Sequence, residues 1–162
     1  MSTFDVGFEE LEEGARFATG GRTITEADVT SFATLTGDSH PQHTDAEWAR
    51  ESRFGERIAH GLLVLSYAVG LVPFDPDRVV AMRRIGDVVF KRPVRLGDTI
   101  RVEGQVERTR ELDADHGLVT LRWRILNQRG RPVALATVEA IWRRAASVAP
   151  EREEESTQPV LI

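Results

Sequence analysis

The chain has 162 residues and a formal net charge of −5 at pH 7, which fits one domain large enough to bury a hydrophobic core. This acidic balance gives no overall attraction to nucleic acid or to an anionic membrane surface. Cysteine is absent, so disulfides, thiolate metal sites and a cysteine nucleophile are all excluded.

The N-terminus and the longest apolar run bear on the location of the protein. Residues Met1 to Asp5 lack the basic and then apolar order of a secretory signal. The longest apolar run, from Ile58 to Val72, is shorter than the roughly 20 residues that a membrane-spanning helix needs. We therefore expect a cytoplasmic protein without membrane or nucleic-acid partners.

The first third of the chain predicts an extended segment and two helices. Residues Phe17 to Ile24 alternate loosely, as a strand does. Thr25 to Asp28 have the order of a capping box, and apolar residues follow at helical spacing until Gly37, which can end the helix. Thr44 to Glu47 then predict the start of a second, short helix. The polar loop from Asp38 to His43 is thus held between two helix ends.

The middle and the end of the chain predict one buried helix followed by strands. Residues Ile58 to Val72 are apolar on nearly all sides and stop at Pro73, which is typical of a helix buried on most sides. The predicted strands are Val79–Ile85, Asp87–Val94, Thr99–Arg108, Leu118–Leu126 and Val133–Trp142. We expect an α+β domain, residues 1–144, whose antiparallel sheet wraps around the helix. Because such a sheet leaves an edge and one helix flank uncovered, we also expect a homodimer or a larger homo-oligomer.

The last segment, Ala145 to Ile162, contains many small and acidic residues and two prolines. A segment of this composition cannot bury enough apolar surface to offset its ordering entropy. The sequence therefore predicts a disordered acidic tail.

The loop from Asp38 to His43 carries three ionisable side chains, those of Asp38, His40 and His43. A carboxylate and an imidazole held together can bind one water molecule and exchange protons with it. His43 can take both protonation states near neutral pH, as general acid–base catalysis requires. From these residues alone, the alternative is that Asp38 caps the following turn and the histidines are solvated.

A resemblance to a known family favours the catalytic interpretation. Residues Phe32 to Ala46 resemble the signature of the MaoC-like hydratases, a family of R-specific enoyl-CoA hydratases and acyl-carrier-protein dehydratases. Residues Arg57 to Ser66 resemble the start of that family's central helix, and Val89 to Val94 resemble the strand that follows it. The resemblance extends from about Phe17 to Trp142 and implies a hot-dog fold.

The resemblance also implies a reaction, which is the reversible addition of water to a trans-2-enoyl thioester to give a 3-hydroxyacyl thioester. It implies that Asp38 and His43 activate the water and that the backbone N–H of Gly61 binds the thioester carbonyl. It implies a substrate carried by coenzyme A or by acyl carrier protein, with no cofactor and no metal. Gly61 is near the start of the predicted helix, where amides without helical partners favour developing negative charge.

Two positions depart from the family pattern. His40 stands where the family has an asparagine that orders the loop, and Val69 stands where a serine is often found. We expect His40 to keep the loop-ordering role and His60, which precedes Gly61, to cap the helix or support the catalytic groups from behind.

Three other functions remain open from the sequence. Asp38, His40, His43 and His60 could form a two-histidine, one-carboxylate metal site. The chain could instead be a thioesterase, because hot-dog proteins also hydrolyse acyl thioesters. It could also be a non-catalytic subunit that binds acyl thioesters, although such a module has no need of an acid–base pair.

Overall fold

The computed structural model describes residues 4–145, so the predicted acidic tail lies outside the described residues except for Ala145. A short 3-10 helix, Phe8–Glu10, precedes the other elements. The helices are α1 (Glu26–Thr36), α2 (Pro41–Thr44), α3 (Ala46–Glu51) and α4 (Gly61–Leu71). The strands are β1 (Arg16–Ala18), β2 (Arg22–Thr23), β3 (Val79–Phe90), β4 (Thr99–Glu111), β5 (His116–Leu126) and β6 (Pro132–Arg143).

The strands form one antiparallel sheet in the order β1-β4-β5-β6-β3, and β2 pairs with β4. Alternate residues of β4, β5 and β6 are buried, because successive side chains of a strand point to opposite faces. Leu63, Val64 and Ala68 of α4 pack in the same core as Trp123 and Trp142 of the sheet. This arrangement confirms the predicted α+β class, a sheet wrapped around a central helix.

Helix α1 forms where its capping residues predicted it. The Thr25 hydroxyl accepts a hydrogen bond from the Asp28 amide, and the Asp28 carboxylate accepts one from the Thr25 amide. At the other end Gly37 takes the left-handed conformation, with φ 78°, which glycine adopts without steric cost.

The central helix is shorter than predicted and has one exposed face. It begins at Gly61 rather than at Ile58, because Ile58 bridges Arg95 and the Ala59 amide donates to the Val94 carbonyl. Leu62, Ser66 and Gly70, which are spaced one turn apart, form an exposed stripe along α4. The helix is thus buried on most sides and leaves one flank uncovered, as the sequence predicted.

The segment after the helix contains one long strand instead of the two predicted. Strand β3 continues through Gly86 and Asp87, where a register shift and a positive φ of 50° at Asp87 mark an irregularity. The strand ends at Phe90 because Lys91 and Arg92 both donate their amides to the Val133 carbonyl instead of continuing the ladder. None of the helices in residues 4–145 is both long and apolar enough to cross a bilayer.

Candidate functional site

A cavity of about 500 Å³ lies between the start of α4 and the segment that follows β3. Asp38, His43, His60 and Gly61 all line it. Residues separated by more than twenty positions in the sequence therefore meet at one surface. Of the predicted site residues, His40 alone does not line the cavity.

The loop between α1 and α3 contains a helical turn that the sequence did not predict. Pro41 occupies the first position of α2. Proline fits there because the N–H of that position has no acceptor within the helix. The Nδ1 atom of His40 accepts a hydrogen bond from the Gln42 amide at 3.2 Å and so caps the turn. This hydrogen bond holds the turn, and the turn directs His43 into the protein.

His43 is buried, with 5% of its surface exposed. Its Nδ1 lies 2.7 Å from the Ile58 carbonyl oxygen. Because a carbonyl can only accept, Nδ1 carries the proton and Nε2 is the basic nitrogen. The Gln42 side-chain amide lies 3.0 Å from Nε2 and donates to it.

Burial lowers the pKa of His43 below its usual range. The hydrogen bond to Ile58 opposes this shift, and the neighbouring His60 adds to it. The pKa falls because a buried imidazolium loses its hydration. His43 is therefore neutral, and able to accept a proton, at neutral pH.

His60 connects the other groups of the site. Its ring stacks on that of His43, with 3.8 Å between centroids and 27° between planes. Its Nε2 donates a hydrogen bond to the backbone carbonyl of Asp38 at 2.9 Å. The Phe32 ring packs against the His60 ring, with 5.0 Å between their centroids. The side chain is 2% exposed and does not cap α4. His60 therefore contacts both His43 and the Asp38 backbone rather than capping the helix with its side chain.

Asp38 is exposed at the edge of the cavity. One of its carboxylate oxygens and one ring nitrogen each from His43 and His60 lie within 4.8 Å of one another. Two hydrogen bonds of ordinary length, made to one water molecule, span roughly 4.5 Å. The carboxylate and the imidazole are therefore close enough for one water molecule to hydrogen-bond to both.

The same three side chains were candidates for a metal site. Nε2 of His60 donates a hydrogen bond to the backbone carbonyl of Asp38. The lone pair of this ring is therefore on Nδ1, which is buried without a hydrogen-bond partner in the described part of the chain. A metal-binding histidine commonly makes such a bond with its other ring nitrogen. The three side chains can therefore hold either a water molecule or a metal ion, and a chelator distinguishes the two.

Gly61 is the first residue of α4, so its amide has no acceptor within the helix. A methyl group on Gly61 would lie 2.8 Å from ring atoms of Phe90, closer than real contacts allow. The glycine is therefore needed for close packing at the helix start, and its amide is available to a ligand in the cavity.

Sequence reasoning missed three contributors to the site: the Gln42 side chain, the Ile58 carbonyl and the Phe90 ring. Gln42 lies inside the recognised loop, so its position next to His43 was a usable signal. The Ile58 carbonyl is a backbone group and the Phe90 ring arrives from a distant strand, so neither had a local sequence signal.

Known proteins resemble the chain in both sequence and structure. Protein MaoC from Klebsiella aerogenes is 44% identical over 96 residues, which are 59% of this chain and 29% of that protein. An (R)-specific enoyl-CoA hydratase from Aeromonas caviae is 32% identical over 122 residues, which are 75% of this chain and 88% of that protein. The chain spans less than two thirds of the length of several relatives that it matches.

The fold has counterparts among solved structures. The X-ray structure of a monoamine oxidase regulatory protein from Archaeoglobus fulgius superposes with a TM-score of 0.81 at 40% sequence identity, covering 86% of this chain and 95% of that one. The family model for the MaoC like domain matches residues 10–124. The chain therefore belongs to the MaoC-like domain family and has its hot-dog fold.

Proposed function

We propose that the protein catalyses the reversible addition of water to a trans-2-enoyl thioester, giving a 3-hydroxyacyl thioester. The observation that carries this proposal is the placement of Asp38 and His43 on one cavity, at a distance that one water molecule can bridge. Relatives named (R)-specific enoyl-CoA hydratase and 3-hydroxybutyryl-CoA dehydratase support the reaction class.

In the hydration direction, a water molecule binds between the Asp38 carboxylate and Nε2 of His43. The water oxygen forms a bond to the β-carbon, and the pair takes up the proton that the water loses. A proton is then returned to the α-carbon, so that the elements of one water are added across the double bond. Gln42 must release or share Nε2 of His43 when this water binds, because its amide donates to the same lone pair.

Gly61 has the second role in the mechanism. Attack at the β-carbon moves negative charge onto the thioester oxygen, and a fixed donor stabilises that charge in the transition state. The Gly61 amide meets this requirement because it lies at the N-terminus of α4 and lines the cavity. The helix dipole adds to the stabilisation in the same direction.

His40 and His60 act as positioning residues in this proposal. His40 holds the turn that carries His43, and His60 contacts the His43 ring while binding the backbone of Asp38. A displacement of about 1 Å at either group would weaken the shared water site, because acid–base catalysis depends on hydrogen-bond geometry.

The direct test is to offer trans-2-enoyl-CoA thioesters of several chain lengths and to follow the loss of the enoyl absorbance. Hydration predicts loss of this absorbance without release of a free thiol. Thiol release, detected with a thiol-reactive dye, would show a thioesterase instead. Activity abolished by a strong chelator and restored by a metal ion would show metal chemistry, and binding without either product would indicate a non-catalytic subunit.

A further inference from the structure

The mouth of the cavity carries an excess of positive charge. Three basic side chains, those of Arg53, Lys91 and Arg92, line it together with a single carboxylate, that of Asp38. The chain as a whole has a net charge of −5, so this local balance is opposite to that of the molecule. A concave surface lined by one sign of charge attracts ligands of the other sign.

These three cations are not neutralised by neighbouring acids. Within residues 4–145, none of the three lies in a salt bridge. Glu56, three positions after Arg53, is paired with Arg95 instead. The positive charge at the mouth is therefore available to a ligand.

The backbone holds two of the cations in place. The amides of Lys91 and Arg92 donate to the Val133 carbonyl at 2.8 and 3.2 Å, and the Arg92 guanidinium donates to the Pro132 carbonyl at 2.6 Å. All three side chains are exposed. Arg92 thus presents a guanidinium that is already held at its end, and Lys91 extends from a fixed backbone.

We propose that Arg53, Lys91 and Arg92 bind the phosphate groups of the thioester carrier at the mouth of the cavity that holds Asp38 and His43. The inference rests on the proposed function, since the acyl end of the same substrate must reach the two catalytic side chains. Phosphate is the expected anion because each oxygen accepts hydrogen bonds from guanidinium and ammonium groups. Coenzyme A and the phosphopantetheine arm of acyl carrier protein both supply it.

The test compares one acyl group on carriers that differ in phosphate. Crotonyl-pantetheine has no phosphate, crotonyl-phosphopantetheine has one, and crotonyl-CoA has more. In the wild-type protein we expect KM to be about fivefold to thirtyfold lower for the phosphorylated thioesters, as one or two charge-assisted contacts would give. In the double variant Arg53→Ala/Lys91→Ala this ratio should fall towards one, and Arg53→Lys should retain most of it.

A matched control is Arg110→Ala. Arg110 is also exposed, but it pairs with Leu118 on β5, and Leu118 pairs with Ile141, at the opposite end of β6 from Val133. This variant should keep the wild-type ratio. Equal KM values for the pantetheine thioester and both phosphorylated thioesters in the wild type, or a ratio unchanged in the double variant, would overturn the proposal.

Further measurements separate the sources of phosphate and the two proposals. If the double variant raises KM equally for crotonyl-phosphopantetheine, crotonyl-CoA and crotonyl acyl carrier protein, the cations bind the phosphate that all three carriers share. If KM rises for crotonyl-CoA alone, the cations bind the phosphates of the nucleotide part of coenzyme A. Calorimetry with free coenzyme A tests the site without turnover: weaker binding by the double variant supports it even if no thioester is hydrated, and equal binding by variant and wild type refutes it.

If the double variant does not fold, the salt dependence of the wild type gives the answer. Surface charges are screened over about 8 Å at physiological ionic strength. Added salt should therefore raise KM for crotonyl-CoA much more than KM for crotonyl-pantetheine. An equal response of both substrates would count against phosphate binding by these cations.

Discussion

At the scale of single residues, the surroundings of His43 determine its chemistry. The Ile58 carbonyl fixes which ring nitrogen carries the proton, and burial with the nearby His60 keeps the ring neutral. Asp38, by contrast, is exposed and keeps contact with solvent. A buried base beside an exposed carboxylate is an arrangement suited to proton transfer in both directions through a shared water.

Substitution of the two proposed catalytic residues should abolish most of the activity. Asp38→Asn keeps the size of the side chain but removes its charge, and His43→Ala removes the base. Each should lower kcat by roughly 10²–10⁴, and the double variant should be little worse than either single one, because both residues act on the same water. His40→Asn, which installs the family residue, should leave most of the activity. Near wild-type rates in folded Asp38→Asn and His43→Ala variants would refute the proposed function.

The pH dependence of kcat/KM should report the pKa of His43. Because the neutral imidazole accepts the proton, activity should be full above that pKa and should fall as the pH drops through it. The midpoint of this acid limb should lie below 6.5, since burial depresses the pKa of His43 from that value. Removal of His60 reduces burial and removes a neighbour that lowers the pKa, so His60→Ala should move the midpoint upward. A midpoint that stays in place would leave His60 with a merely structural role.

At the scale of elements, the start of α4 brings the site together. Ile58 and Ala59 are held by the bridge to Arg95 and the bond to Val94, so the helix begins at Gly61, next to Phe90 of β3. The far side of the helix is tied to α1, because the Tyr67 hydroxyl donates to the Asp28 carboxylate at 2.6 Å. These contacts hold the Gly61 amide in a defined position relative to the α2 turn.

The variant Gly61→Ala separates packing from catalysis at this helix start. The added methyl group collides with the Phe90 ring, but that ring is 49% exposed and can move, so we expect the free energy of unfolding to fall by about 1 kcal/mol. We expect kcat/KM to fall about 10-fold to 100-fold because the methyl group also obstructs the thioester. The second change Phe90→Ala should relieve the collision without restoring activity. Full recovery of activity in the double variant would show that Gly61 serves packing alone.

At the scale of the whole molecule, an apolar surface remains uncovered. Strand β3 is an edge of the sheet, and its side chains Val80 and Met82 are 43% and 39% exposed. Leu62 on α4 is 62% exposed and lines the cavity together with Phe90. Edge strands with exposed apolar side chains favour pairing with another chain, and we therefore predict a homodimer that forms through this surface.

Light scattering should therefore give a mass of about twice 18.1 kDa at micromolar concentration. The charged variants Val80→Lys and Met82→Lys should shift the protein towards the monomer, because a desolvated charge opposes an apolar interface. Leu112→Lys is the matched control, since Leu112 is 38% exposed in the turn between β4 and β5. A monomeric wild type, or equal effects of all three changes, would refute this interface.

Whether the C-terminal segment contributes to stability and activity is also a question about the whole molecule. Ala145 still contacts the domain, since its amide donates to the Glu9 carboxylate at 2.8 Å. Deletion of residues 146–162 should leave the melting temperature and kcat nearly unchanged, because a segment of that composition buries little apolar surface. A fall of several degrees in the melting temperature would show that the segment docks on the domain.

Local sequence determined the elements that depend on neighbouring residues. The α1 cap, the stop at Gly37 and the alternation of β4, β5 and β6 follow from contacts within a few positions or from strand periodicity, and these were predicted. The family and its fold were also identified from the loop and helix motifs. The sequence by itself thus determined the fold class and nominated Asp38, His43 and Gly61.

Tertiary structure decided what depends on groups far apart in the chain. The bridge from Ile58 to Arg95 shortened α4, and the bonds of Lys91 and Arg92 to Val133 ended β3. The tautomer of His43 depends on a backbone carbonyl fifteen residues away, and the cations at the cavity mouth come from two separate segments. Periodicity and capping act over a few residues, whereas burial, tautomer and local charge depend on which distant segments meet, so only the folded chain could establish them.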